Sequence, residues 1–115
     1  MGLFGKRKSV KNWFEEGNRF YDKDNFLDAI ECFDKVILDK KIHGKNIAIA
    51  LTNKGKCIAK LEDFETAIKC FELAIQLDSK SSDALFEKAD VLQNMGQNDE
   101  AKKCLETAKK LELNK

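Results

Sequence analysis

One pattern of small and aromatic residues is written three times along this chain, as Gly17/Ala29/Phe33/Val36, Gly55/Ala67/Phe71/Ala74 and Ala89/Ala101/Leu105/Ala108. The internal offsets are 12, 4 and 3 residues in each copy, and the copies stand 38 and then 34 residues apart. A period near 34 residues is the length of a helical hairpin that cannot bury its apolar face alone and must stack on its neighbours. Stacked hairpins make a surface for holding other chains and offer no obvious place for catalysis.

Apolar residues recur at three- and four-residue intervals in Trp13/Gly17/Phe20, Phe26/Ala29/Ile30/Phe33/Val36/Ile37, Leu51/Gly55/Ile58, Phe64/Ala67/Ile68/Phe71/Ala74/Ile75, Leu85/Ala89/Leu92 and Ala101/Leu105/Ala108. This spacing predicts six helices and no strands. Polar breaks fall at residues 22–25, 39–46, 62–63, 78–82 and 95–98. Connections this short make neighbouring helices antiparallel. Within each pair the Gly or Ala of the first helix is expected to face the Ala of the second, so that the axes approach closely, with Phe33, Phe71 and Leu105 filling the space beside them. The 115 residues contain no proline, which suits a single all-helical domain. We read residues 1–8 as a basic tail and residues 9–115 as one domain, with repeats at about 10–43, 48–81 and 82–115.

The net charge is only +1, but it is unevenly spread. Residues 1–11 carry +4 through Lys6, Arg7, Lys8 and Lys11, whereas residues 12–43 carry −3. The repeat region therefore lacks the clustered Lys and Arg of a nucleic-acid footprint, and no nucleic-acid partner is expected. The longest apolar run, Ile47 to Leu51, is far short of the ~20 residues that span a bilayer, and the basic start is followed by polar residues where a secretory signal needs an apolar stretch. Leu3 and Phe4 beside three bases raise a secondary reading, in which the tail rests on an anionic membrane surface.

At the repeated positions the chain resembles the tetratricopeptide repeat family, whose pattern joins W-x2-L-G-x2-Y to A-x3-F. Trp13, Gly17, Phe20, Ala29 and Phe33 carry the resemblance in the first copy, with Glu16 in place of leucine. Leu51, Gly55, Ile58, Ala67, Phe71 and Ala74 carry it in the second, and Leu85, Ala89, Leu92, Ala101, Leu105 and Ala108 in the third. Lys41 and Ser79 stand where the family usually has a proline, and extra residues around Ile42-His43-Gly44 separate copies one and two. The resemblance implies an all-α fold of three antiparallel helix hairpins stacked in a right-handed superhelix. It also implies a non-catalytic adaptor, scaffold or assembly factor, co-chaperone-like and cytoplasmic, that binds another protein or peptide segment in a concave groove.

In that family the first helix of each pair lines the groove. Helical spacing there selects Lys11, Phe14, Asn18 and Tyr21, then Ile49, Thr52, Asn53, Lys56 and Ala59, then Asp83, Phe86, Asp90 and Gln93. Phe14 and Phe86 occupy equivalent places; they either pack against the neighbouring repeat or anchor an apolar or helical partner segment. One subset of the family grips acidic chaperone tails with a clamp of Lys and Asn, then Asn, then Lys and Arg. Asn18 and Asn53 match its asparagines, but Phe14 replaces the first lysine and Asp83 and Glu87 replace the final bases. Two acids reverse the field where two bases are needed, so an apolar or basic segment is expected instead. Many relatives follow the last repeat with a solvating helix, and here Leu111 and Leu113 near the end suggest self-association through an uncapped third repeat.

Cys32, Cys70 and Cys104 recur at the repeat length, directly before Phe33, Phe71 and Leu105, and Cys57 lies on another helix. Equivalent positions in successive hairpins are too far apart for a disulfide, so reduced buried thiols are expected. With one histidine, His43, in a loop and no C-x-x-C, no metal or other cofactor is expected. The adjacent acids Glu15-Glu16 and Glu62-Asp63 diverge around a helix, so no enzyme activity is expected.

Overall fold

The structure, a computed structural model, describes residues 8–115. Its elements are α1 (Val10–Asp22), α2 (Phe26–Ile37), α3 (Lys45–Lys60), α4 (Phe64–Leu77), α5 (Ser82–Asn94) and α6 (Asn98–Leu113), with no strand among the described residues. Helix α3 begins inside the stretch expected to be a break; Gly44, at φ 58° and ψ −118°, is its N-cap. Side-chain caps start three of the others: Ser9 accepts from the Asn12 N–H at 3.2 Å, Asp63 from Thr66 at 3.4 Å and Ser81 from Ala84 at 3.4 Å.

The three turns within pairs repeat one device. Asp24, Glu62 and Gly96 occupy equivalent positions and all have positive φ, at 62°, 67° and 80°. The next residue's N–H then reaches back to the last turn of the helix, Asn25 to the Phe20 carbonyl at 2.8 Å, Asp63 to Ile58 at 3.2 Å and Gln97 to Leu92 at 2.8 Å. This left-handed closure satisfies carbonyls that the helix end leaves open.

Each helix packs on the next in sequence, so α1/α2, α3/α4 and α5/α6 form hairpins, and α2 on α3 and α4 on α5 join them. Ala29, Ala67 and Ala101 are fully buried at the centre of the pairs, next to buried Phe33 and Phe71. The glycines do not simply face these alanines. A Cβ on Gly17 would stand 2.7 Å from the Phe33 ring, and one on Gly55 would stand 2.5 Å from the Phe71 ring. Ring is therefore seated on glycine, and the third copy replaces both partners together, with Ala89 opposite the smaller Leu105.

The hairpins are joined by isoleucines. Ile30 and Ile37 of α2, and Ile68 and Ile75 of α4, each pack against two neighbouring core clusters and so bridge one repeat to the next. An ion pair repeats at both junctions, Lys54 with Asp34 at 2.7 Å and Lys88 with Glu72 at 3.3 Å. At the carboxyl end the two bridging positions are exposed Lys102 and Lys109. The face expected to be an uncovered apolar end is therefore charged. Leu111 is half-buried against the α5/α6 core, and Leu113 alone is 84 % exposed. At the amino end, Asn12 and Arg19 stand where Ala50/Cys57 and Ala84/Val91 are buried in the later repeats. The outermost described helices thus carry polar side chains at the positions that bridge repeats in the middle of the stack.

Candidate functional site

α3 touches α5 as well as its sequence neighbours, while the second helices make no comparable contact with one another. The first helices thus line the inner side of the stack, and three cavities lie there in a row along α3. The first, of about 540 Å³, is lined by residues that include Lys45, Ile49, Ser82, Asp83, Leu111 and Lys115. A narrow middle one, about 20 Å³, lies among Asn18, Tyr21, Phe33, Asn53 and Lys56. The last, about 340 Å³, is walled by Tyr21, Lys56, Ala59, Lys60, Glu87, Asp90, Val91 and Asn94.

Eight of the thirteen residues singled out from the sequence line these cavities: Asn18, Tyr21, Ile49, Asn53, Lys56, Ala59, Asp83 and Asp90. Five do not, among them Gln93, which is exposed on α5. Lys11 is exposed at the start of α1, 3.8 Å from Glu15. Phe14, Thr52 and Phe86 share one repeat position, and that position turns into the seam beneath the groove. Phe14 lies 6.1 Å from the Phe33 ring centroid, Thr52 is only 6 % exposed with its hydroxyl donating to the Ala48 carbonyl at 2.9 Å, and Phe86 packs on the α5/α6 core. The groove stripe is instead one residue further on, at Asn53 and Glu87, continuing to Lys60 and Asn94. Glu87 was legible beside Asp83 as an acid where the acidic-tail clamp has a base, and so as suited to a basic partner; Lys60 and Asn94 lie two turns beyond Asn53 and Glu87 on their helices.

The electrostatics of the last cavity are uneven. Lys56 Nζ sits 5.1 Å over the Tyr21 ring, whose edge meets Phe26 at 5.5 Å. Burial raises the Tyr21 hydroxyl above its usual pKa, and Glu87 adds to the rise. The Glu87 carboxyl is also raised, first by burial and then by Asp90 and Asp83, against the opposing pull of Lys56 and Lys60. Neither lysine forms an ion pair with Glu87. At the first cavity, buried Ser82 bonds the Glu112 carboxylate, and Lys115 reaches the same carboxylate at 2.9 Å, which ties the end of α6 to the start of α5. These bonds hold the Glu112 carboxyl below its usual range.

Outside the groove, Lys8 pairs with Glu16 and stands 4.8 Å over the Trp13 ring, so the last base of the tail is engaged with α1. Leu3, Phe4, Lys6 and Arg7 lie outside the described residues. No described helix is long and apolar enough to cross a membrane. Cys32, Cys57, Cys70 and Cys104 are free and buried, each with its thiol raised by burial, Cys57 to about 11. A thiol held that far above neutrality is a poor nucleophile and a poor metal ligand.

The fold and the repeat pattern have counterparts among known proteins. The tetratricopeptide repeat family model matches residues 59–114. Protein unc-45 homolog B of Xenopus laevis is 32% identical over 101 residues, covering 85% of this chain and 10% of that protein. Sperm-associated antigen 1 of Rattus norvegicus is 38% identical over 72 residues, covering 63% of this chain and 8% of the relative. The chain thus spans about a tenth of the length of the curated relatives it matches. Among solved structures, the second repeat domain of Spaghetti (RPAP3), bound to the HSP90 peptide SRMEEVD, is 26% identical with a TM-score of 0.78, covering 90% of this chain and 93% of that one. PcrH in complex with the chaperone binding region of PopB shares the fold at 18% identity and a TM-score of 0.83, with coverage of 96% and 87%. Three in-phase copies of the small and aromatic pattern, six antiparallel helices stacked as hairpins and these likenesses agree: the chain belongs to the tetratricopeptide repeat family.

Proposed function

We propose that this chain is a non-catalytic protein-interaction module that holds a partner polypeptide in the groove along α3, and that the partner segment is apolar or basic. The observation that carries this is the unpaired, partly buried Glu87 beside Asp90, in a cavity walled by Tyr21. A carboxylate drawn from water without an ion pair is improved by a ligand cation and worsened by a ligand anion. The Spaghetti (RPAP3) neighbour is bound to SRMEEVD, a peptide ending in acids, and the middle asparagines Asn18 and Asn53 would suit such a tail. Asp83 and Glu87 oppose it. Phe14, Thr52 and Phe86 belong to this reading only as supports of the groove wall, since they are packed into the chain itself, and exposed Lys11 lies apart from the cavities.

The membrane-surface alternative rests on Leu3, Phe4 and the bases around them, and the contact of Lys8 with Glu16 and Trp13 leaves one base fewer for lipid. End-to-end self-association is opposed by Lys102 and Lys109. Free thiols fit a reducing compartment, and we assign the chain to the cytoplasm on that ground.

Titrating SRMEEVD and a peptide of equal length carrying leucine and arginine against the full chain tests this reading. The leucine-arginine peptide is expected to bind more tightly, and the Asp83→Lys/Glu87→Arg variant to reverse the order. Tighter binding of SRMEEVD to the unaltered chain contradicts the reading.

A further inference from the structure

The two large cavities of the groove differ in character. The one at the start of α3 is lined mostly by polar and charged side chains and holds two apolar ones, Ile49, 49 % exposed, and Leu111, half-buried. The one at the end of α3 offers an aromatic ring and two carboxylates without ion pairs. Between them the middle cavity, about 20 Å³, has room for little more than one water. No bulky side chain fits into it.

Asn18 and Asn53 flank this narrow point, and among the described residues neither carboxamide has a hydrogen-bonding partner. Each offers a donor and an acceptor, which matches a peptide group. A helix has no free peptide groups along its middle, whereas an extended segment leaves all of them open. The two carboxamides therefore match an extended occupant. On α3, Ile49 is the apolar residue of the first cavity and Lys60 the outermost residue of the last; at ~1.5 Å rise per residue they are about 16 Å apart. An extended chain covers that distance in about five residues at ~3.3 Å each.

Resting on the reading that the partner enters the groove, we propose a two-anchor occupant: an extended partner segment that places a large apolar side chain in the Ile49/Leu111 cavity and an arginine or lysine, about five residues away, in the Tyr21/Glu87/Asp90 cavity. Arginine is favoured over lysine, because its planar head stacks on the Tyr21 ring while its fork meets a carboxylate.

The test is a set of fluorescent peptides, each with one leucine and one arginine in a serine-glycine background, separated by two, five or eight residues, with binding to the full chain read by anisotropy. The five-residue separation is expected to bind best, by about fivefold or more over the other two. The Glu87→Gln/Asp90→Asn variant is expected to weaken that peptide about tenfold, the loss of roughly one charged contact, and to leave its Arg→Ala counterpart unchanged. A melting temperature for the variant no lower than that of the unaltered chain excludes misfolding as the cause. Equal affinity at all three separations, with Glu87→Gln/Asp90→Asn still weakening binding, overturns the two-anchor arrangement and leaves the groove reading standing. Failure of every leucine-arginine peptide to bind overturns both. Tighter binding by a helical peptide of the same composition overturns the extended occupant.

Discussion

At Gly55 the chain has removed a side chain so that a ring can take its place. A methyl there would fall 2.5 Å from Phe71 Cε1, so Gly55→Ala is expected to destabilise the fold by about 1 to 3 kcal/mol in urea unfolding, despite alanine's better helix propensity. Combining it with Phe71→Leu recreates the third repeat's Ala89/Leu105 pairing, and the double variant is expected to lose less than the two single losses added. Glu87 is a residue of the opposite kind, tuned away from stability. Its carboxyl is raised by burial and by Asp90 and Asp83, so the fold prefers it neutral. Its contribution is fully favourable below the unfolded pKa of about 4.3 and is lost as pH rises through the higher folded value. Glu87→Gln is therefore expected to be more stable than the unaltered chain at pH 7 and equal to it near pH 4. Unfolding at the two pH values checks this, and a pH-independent difference would contradict it. The residues of the inner stripe show where sequence reading falls short. Phe14, Thr52 and Phe86 share one position, and a period fixes the core face more sharply than its neighbours because adjacent positions differ by about 100° around the helix. Whether that position meets the groove or the seam is decided by how Phe33 and the α5/α6 core fill the space below, which spacing does not encode.

The helices themselves were largely legible, since glycine, alanine and phenylalanine recur in phase and polar breaks separate them. Less legible was the shared turn at Asp24, Glu62 and Gly96, because only one of the three is glycine. A left-handed backbone costs a side chain about 1 kcal/mol that glycine avoids. Glu62→Gly is expected to raise stability by about that amount, and Gly96→Ala to lower it by a similar amount. Opposite signs in chemical denaturation support the common device; equal signs contradict it. Between hairpins the bridging isoleucines carry the packing. The Lys54–Asp34 and Lys88–Glu72 pairs, partly open to water, add register more than energy.

Over the whole molecule, which extends 52 × 29 × 20 Å, the bridging positions change from apolar in the middle of the stack to polar on its outermost helices. The sequence shows Lys102 and Lys109 openly, yet their meaning depends on knowing that Ile30/Ile37 and Ile68/Ile75 bridge repeats. Lys102→Ile/Lys109→Ile is expected to convert the charged face of α6 into an adhesive one, with a dimer in sedimentation where the unaltered chain stays monomeric. That a partner is held in the inner groove is the central claim. The most direct test is to record amide shifts of the full chain on adding the leucine-arginine peptide of five-residue separation. The account predicts shifts concentrated at Asn18, Tyr21, Ile49, Asn53, Lys56, Glu87 and Asp90. Shifts confined to the outward faces of α2, α4 and α6 would contradict it.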